Sequence, residues 1–130
     1  MSAPALARFA VASALVAGTI LVSILPSGDQ VSANAFQWIA QSPPPMLQNV
    51  MHVVVYAALA WSVAWSLEGY ASWRRRAATA FLACLALGIA LEWLQTLVPG
   101  RFGTLLDVGL NMIGVLLGLQ VARRSRTSGA

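Results

Sequence analysis

The chain has 130 residues, of which 58% are hydrophobic and only 9% are charged. A soluble domain carries about 25% charged residues, so this composition excludes an ordinary soluble domain and predicts an all-α, polytopic membrane protein. The net charge of +4 comes from eight arginines against four acids, and the arginines flank hydrophobic segments, which is not a nucleic-acid-binding pattern. We expect residues 1–130 to form a single transmembrane domain.

Four apolar segments are long enough to cross a bilayer, which takes roughly 20 residues. In chain order the predicted spans are residues 8–25, 47–67, 77–98 and 104–122. Proline, glycine and arginine clusters separate them, as expected at the ends of helices. The sequence therefore predicts a bundle of four transmembrane helices.

The first segment has a second interpretation, as a cleavable signal peptide. Arg8 provides a basic start and residues 33–35 fit a small-x-small cleavage site. However, the apolar run exceeds the usual length of about 7–15 residues, and Leu25 is ten residues from Ala35. We therefore favour a retained span, followed by a short aromatic segment around Trp38 that lies along the outer interface.

The arginines predict the orientation in the membrane. Seven of the eight are Arg8, the three arginines of residues 74–76 and the three of residues 123–126. The loop of residues 26–46 has no arginine, and the loop between spans three and four has only Arg101. Arginine is enriched in cytoplasmic loops. Both termini are therefore predicted to be cytoplasmic, in a multi-pass protein of the cytoplasmic (inner) membrane.

Spans two, three and four each carry one ionisable residue near the same predicted outer end: His52, Glu92 and Asp107. His52 is about five residues into its span, Glu92 is about six residues from the end of its span, and Asp107 is about three residues into its span. At 1.5 Å per residue, the three depths are similar. Ionisable residues inside membranes are costly and usually functional, so these three are the candidate catalytic residues.

Polar or aromatic neighbours accompany each of the three at helical spacing. A fourth residue, on the short loop between spans three and four, can reach either carboxylate. These neighbours are the candidate ligand-binding residues, in chain order Tyr56, Gln95, Arg101 and Asn111.

Purely structural interpretations also exist for several of these residues. Thr104 and Asp107 form a capping box, which would explain Asp107 without any site. Glu92 could simply pair with Arg101, and Asn111 could join two helices by hydrogen bonds. The shared depth on three different helices favours a common site.

Two further features predict packing, and no motif predicts a metal. Gly114 and Gly118 form a G-x-x-x-G pair, which lets a partner helix approach closely. Cys84 lies in an apolar segment and is expected to pack. A single histidine does not suit the common multi-histidine metal sites, so neither a metal nor a cofactor is predicted.

The order and spacing of these residues resemble the VanZ-like family of small membrane proteins. The matching pattern is His52-x3-Tyr56, then Glu92-x2-Gln95-x3-Pro99-x-Arg101-x5-Asp107-x3-Asn111-x2-Gly114-x3-Gly118. The end of span one at residues 23–26 is also similar, and the likeness covers nearly the whole chain. Family members often carry an Asp-Lys pair where this chain has Gln48 and Asn49. The resemblance implies a membrane bundle and a link to resistance against the glycopeptide teicoplanin.

Three functional hypotheses follow for a polar site that opens to the extracytoplasmic side. The first is an enzyme-like site for a cell-envelope or lipid-linked substrate, with His52 as acid or base, Glu92 or Asp107 as its partner, and Arg101 as an anion clamp. The second is a non-catalytic module that binds an anionic headgroup or scaffolds a partner. Transport is the third and weakest, because residues 77–91 offer only two polar side chains.

Overall fold

The structure is a computed structural model that describes residues 3–24, 45–98 and 101–127. These residues form four helices and no strand: α1 (Ala3–Ile24), α2 (Pro45–Ser66), α3 (Trp73–Gln95) and α4 (Leu105–Thr127). Each helix is long and apolar enough to cross a membrane. The predicted all-α, four-span class is confirmed. The signal-peptide site at 33–35 and the aromatic segment around Trp38 lie outside the described residues.

The helix boundaries differ from the predicted spans where arginines extend a helix. α3 begins at Trp73, so the three arginines that follow it lie in its first turn, and α4 continues to Thr127. Arginine is a good helix former, so the helices run beyond their apolar segments. α3 ends at Gln95 rather than at residue 98, and Pro99 disfavours helical conformation at the residue before it.

The most extensive contact in the bundle is between α2 and α4. A Cβ added to Gly114 would overlap the carbonyl oxygen of Val53, and one added to Gly118 would overlap that of Ala57. Only glycine allows the two backbones to come this close. In the structure, the G-x-x-x-G pair lies against α2 of the same chain.

The core between the helices is built largely from small side chains. One buried cluster joins Tyr56, Leu59, Ala60, Cys84 and Val115, and a second joins Ala64, Ala80 and Ala122. Cys84 is only 2% exposed among these apolar neighbours, in agreement with its predicted packing role. Small residues let helices in a membrane make extensive van der Waals contact.

One end of the bundle is held by arginine contacts. The Nη1 atom of Arg8 lies 3.0 Å from Glu68 Oε2, and Arg76 Nη1 lies 3.6 Å from Glu68 Oε1. Arg76 is 2% exposed, and its Nε donates to the carbonyl oxygen of Ala64 at 2.7 Å. Arg76 thus satisfies a carbonyl in the last turn of α2, in addition to any effect of its charge on membrane orientation.

Candidate functional site

The three predicted ionisable residues meet at the opposite end of the bundle from Arg76. The Nδ1 atom of His52 lies 3.9 Å from Glu92 Oε1, and its Nε2 atom lies 3.7 Å from Asp107 Oδ1. The side chains of His52, Glu92 and Asp107 are 14%, 8% and 10% exposed. Residues from α2, α3 and α4 therefore form one largely buried cluster.

Thr104 holds both carboxylates of this cluster. Its backbone N–H donates to Glu92 Oε2 at 3.2 Å, and its hydroxyl donates to Asp107 Oδ2 at 2.6 Å. The same hydroxyl accepts from the backbone N–H of Asp107 at 3.1 Å, as an N-cap does. Each carboxylate consequently has one oxygen bound by Thr104 and the other directed at His52.

This arrangement combines two interpretations that the sequence left as alternatives for Asp107. In a regular capping box the acid at the third helical position accepts from the N–H of the cap residue. Here Glu92 of another helix accepts that N–H instead. Asp107 is a capping residue through its backbone and Oδ2, and a member of the cluster through Oδ1.

A glycine beside Thr104 makes this contact sterically possible. A Cβ at Gly103 would overlap the carbonyl oxygen of Glu92, so the loop lies directly against the end of α3. Neither the close contact at Gly103 nor the bond from Thr104 to Glu92 was predicted from the sequence. The available signal was a glycine immediately before a capping box, in a short loop between two predicted spans.

Asn111 orients the His52 ring through a side-chain hydrogen bond. It is completely buried, and its Oδ1 lies 2.9 Å from His52 Nδ1. An amide oxygen can only accept, so Nδ1 carries the proton of this bond, and Nε2 faces Asp107. The Nδ2 atom of Asn111 has no hydrogen bond within the described part of the chain.

A cavity of about 800 Å³ opens beside the cluster, between α1 and the other helices. His52, Glu92 and Asp107 line it together with three of the four predicted ligand-binding residues, Tyr56, Gln95 and Arg101. Asn111 is not among the lining residues. Gln48 and Asn49 also line the cavity, so uncharged amides stand where the resemblance implied a charged pair.

The remaining cavity wall is mostly apolar. α1 contributes Leu15 and Val22, α2 contributes Val55 and Leu59, and the loop before α4 contributes Phe102. The cavity therefore has a polar region formed by the cluster and a hydrocarbon-like region along α1 and α2.

Arg101 connects this cluster to α1. Its Nη2 donates to the carbonyl oxygen of Val22 at 3.1 Å, a contact that the sequence did not predict. Burial lowers the pKa of the Arg101 guanidinium and attraction by Glu92 raises it, and arginine remains charged in proteins.

A comparison with protein-family models decides the relationship that the polar pattern suggested. The model described as VanZ/LLP1 matches residues 7–126, nearly the whole chain. The chain belongs to the VanZ/LLP1 family. The match includes most of α1, so this helix is part of the VanZ/LLP1 domain. Neither the curated proteins nor the solved structures gave a match.

Proposed function

We propose that this VanZ/LLP1 protein binds an anionic, lipid-linked ligand of the cell envelope in the cavity beside His52. The observation that carries the proposal is the composition of the cavity wall, polar at the cluster and apolar along α1 and α2. Its volume of about 800 Å³ lies within the usual range for small-molecule sites, roughly 300–1,000 Å³. A ligand with a polar head and a hydrocarbon tail matches both regions.

The polar region offers both donors and acceptors to a headgroup. Arg101 is charged and lines the cavity, and guanidinium groups suit phosphate. The oxygens of Glu92 and Asp107 that Thr104 leaves unbound can accept hydrogen bonds from hydroxyl or amide groups. This combination favours a headgroup that carries a phosphate next to hydroxyls, as in a lipid-linked sugar.

The apolar region is suited to the tail because α1 is loosely packed. Ala12 is its only buried residue within Ala3–Ile24, and Leu15 and Val22 face the cavity. A hydrocarbon chain can be buried against such a surface without breaking the hydrogen bonds of any polar group.

The arginine distribution supports an extracytoplasmic position for the site in the cytoplasmic membrane. The cluster of Arg8, Glu68 and Arg76 lies at the other end of the helices, and cytoplasmic ends are rich in arginine. The cavity would then open to the side on which cell-wall precursors are used.

Acid–base chemistry on the bound ligand is a second candidate function, favoured by the position of His52. Its Nδ1 is held by Asn111 and its Nε2 faces Asp107 at the cavity. A fixed tautomer with a neighbouring carboxylate is what proton transfer requires. Transport has less support, because the buried layer below the site consists of Leu59, Ala60, Cys84 and Val115.

Native mass spectrometry of the full chain in nanodiscs tests the binding proposal. The probes are a polyprenyl phosphate, phosphatidylglycerol and phosphatidylcholine. We expect selective retention of polyprenyl phosphate, weakened about 10-fold or more by Arg101→Gln, since a charged hydrogen bond contributes about 1.5–3 kcal/mol. Arg75→Gln is the matched control, because Arg75 is an exposed arginine of α3.

Three results would overturn parts of this proposal. Equal retention of all three lipids contradicts a specific anionic ligand. Preference for phosphatidylglycerol contradicts a polyprenyl-linked source. An equal effect of Arg75→Gln contradicts recognition by Arg101. Release of inorganic phosphate or a shortened headgroup in the same samples would establish the acid–base function, and teicoplanin susceptibility of complemented cells tests the link to resistance.

A further inference from the structure

We propose that His52, Glu92 and Asp107 hold a divalent metal cation. One candidate ligand atom from each of the three residues lies within 4.8 Å of the other two. Imidazole nitrogen and carboxylate oxygen are frequent ligands of Zn²⁺ and Mn²⁺. The sequence predicted no metal because it has one histidine, but the two carboxylates complete a three-residue ligand set. This inference goes beyond lipid binding and does not depend on it.

The histidine is oriented as a metal ligand. Its Nδ1–H donates to Asn111, and a metal-bound imidazole usually donates its other N–H to an oxygen in this way. Nε2 then faces Asp107 Oδ1 at 3.7 Å, and in a neutral imidazole with its proton on Nδ1 this nitrogen carries the lone pair that can bind a metal ion.

The distance between Nε2 and Asp107 Oδ1 leaves room for a metal ion. The 3.7 Å between Nε2 and Oδ1 exceeds the usual N···O hydrogen-bond distance of about 2.9 Å, so the two atoms are not in direct hydrogen-bond contact. A metal with bonds of about 2.0–2.2 Å to each atom spans such a gap at an angle of roughly 120°. The separation fits a shared metal ion.

The outer contacts of the cluster are those of a metal site. Thr104 binds Glu92 Oε2 and Asp107 Oδ2, which fixes both carboxylates. Asp107 Oδ1 is left on the Nε2 side of the ring and Glu92 Oε1 nearer to Nδ1, at 3.9 Å. Asn111 is fully buried beside Glu92, and its Nδ2 makes no close hydrogen bond among the described residues, although its amide lies near enough to act on that carboxylate. Buried donors normally have a partner, and a water or ligand oxygen on the metal is a suitable acceptor.

The three-residue ligand set leaves room for a further ligand on the ion. Three protein ligands leave coordination positions open, so a phosphate oxygen of the proposed lipid ligand could complete the coordination.

Metal titration of the full chain tests the proposal without any lipid ligand. The protein is purified in maltoside detergent through a histidine-free tag and stripped with EDTA. Mn²⁺ is then added and followed by electron paramagnetic resonance, with Zn²⁺ as competitor. His52 is the single histidine of the chain. If it binds the ion, replacing ¹⁴N-histidine with ¹⁵N-histidine must change the nitrogen modulation of the Mn²⁺ spin-echo signal. We expect one Mn²⁺ per chain with this signature.

Variants separate the cluster from adventitious acidic groups. We expect Asp107→Asn and Glu92→Gln each to weaken binding about 10-fold or more. Glu68→Gln is the control. Glu68 is a carboxylate at the Arg76 end of the bundle and is not one of the proposed ligands, so this substitution should leave metal binding unchanged. Folded wild-type protein that binds neither Mn²⁺ nor Zn²⁺, binding without the histidine signature, or an equal loss in Glu68→Gln would overturn the proposal. The wild-type isotope experiment decides the question even where a variant does not fold.

Discussion

At the scale of single residues, Thr104 organises the cluster. Two carboxylates that face one imidazole repel each other, and burial makes the repulsion costly. The N–H and hydroxyl of Thr104 bind one oxygen of each carboxylate, and such charge-assisted hydrogen bonds are stronger than neutral ones. Asn111 fixes the histidine ring. Neutral polar groups thus hold the charged ones in place.

The tautomer of His52 is a direct prediction of these contacts. Nitrogen-15 NMR of the histidine-labelled, metal-free chain should show the proton on Nδ1, because Asn111 Oδ1 accepts from it. Asn111→Leu removes this acceptor and should shift the signals toward a mixture of tautomers. An Nδ1 without a proton in the wild type would mean that Asn111 donates to the ring, contrary to our assignment.

At the scale of the helices, close packing and arginine contacts place the cluster residues at one end. Gly114 and Gly118 bring α4 against α2, which aligns Asp107 and Asn111 with His52. Arg101 binds a carbonyl in the last turn of α1, and Arg76 binds one in the last turn of α2. Helix ends otherwise leave such carbonyls without partners.

The close contact of α4 with α2 predicts opposite effects for two glycine substitutions in the same helix. Gly118→Ala places a Cβ against the carbonyl of Ala57, and overpacking of this kind costs about 1–3 kcal/mol. Gly109→Ala meets nothing within 4 Å and should stabilise the helix by about 0.5–1 kcal/mol. Unfolding in dodecyl sulfate titrations measures both, and equal stability of the two variants would contradict the packing of α4 on α2.

At the scale of the whole molecule, the sequence predicted which residues meet but not how they bond. Hydropathy located four spans, and counting residues from the span ends placed His52, Glu92 and Asp107 at one depth. The bonding of each oxygen depends on loop geometry that has no period in the sequence. The role of Gly103 and the bond from Thr104 to Glu92 were missed for that reason.

Burial of charges was the second feature that the sequence could not supply. Arginines next to apolar segments predict membrane orientation, and nothing in the pattern distinguishes Arg76, which is 2% exposed, from its exposed neighbour Arg75. The distinction depends on which face of α3 meets Ala64. For the same reason Arg101 was assigned to the carboxylates, and its bond to Val22 was not foreseen.

The membrane orientation can be tested with single cysteines in a Cys84→Ala background. Phe102 is 83% exposed, so Phe102→Cys should react with an impermeant maleimide from outside intact cells, whereas Ala130→Cys should react only after lysis. Gly103 is unsuitable as a labelling site because its Cβ would overlap Glu92. Labelling of Ala130→Cys in intact cells would place the cavity on the cytoplasmic side.

The cluster is proposed to bind a ligand and not merely to hold the fold as a charge pair. Purified yield and retention of a polyprenyl phosphate that carries a sugar, from whose hydroxyls Glu92 is proposed to accept hydrogen bonds, are measured for wild type, Glu92→Gln, Arg101→Gln and the double variant. In a purely structural pair, loss of one partner costs about 3–5 kcal/mol and loss of both is close to neutral. Glutamine at position 92 can still accept the hydrogen bond from Thr104, so we predict that Glu92→Gln is purified in wild-type yield. We predict that this variant retains the ligand weakly and that the double variant does not restore retention. Reduced yield in the singles, together with wild-type yield and retention in the double variant, would contradict a functional site.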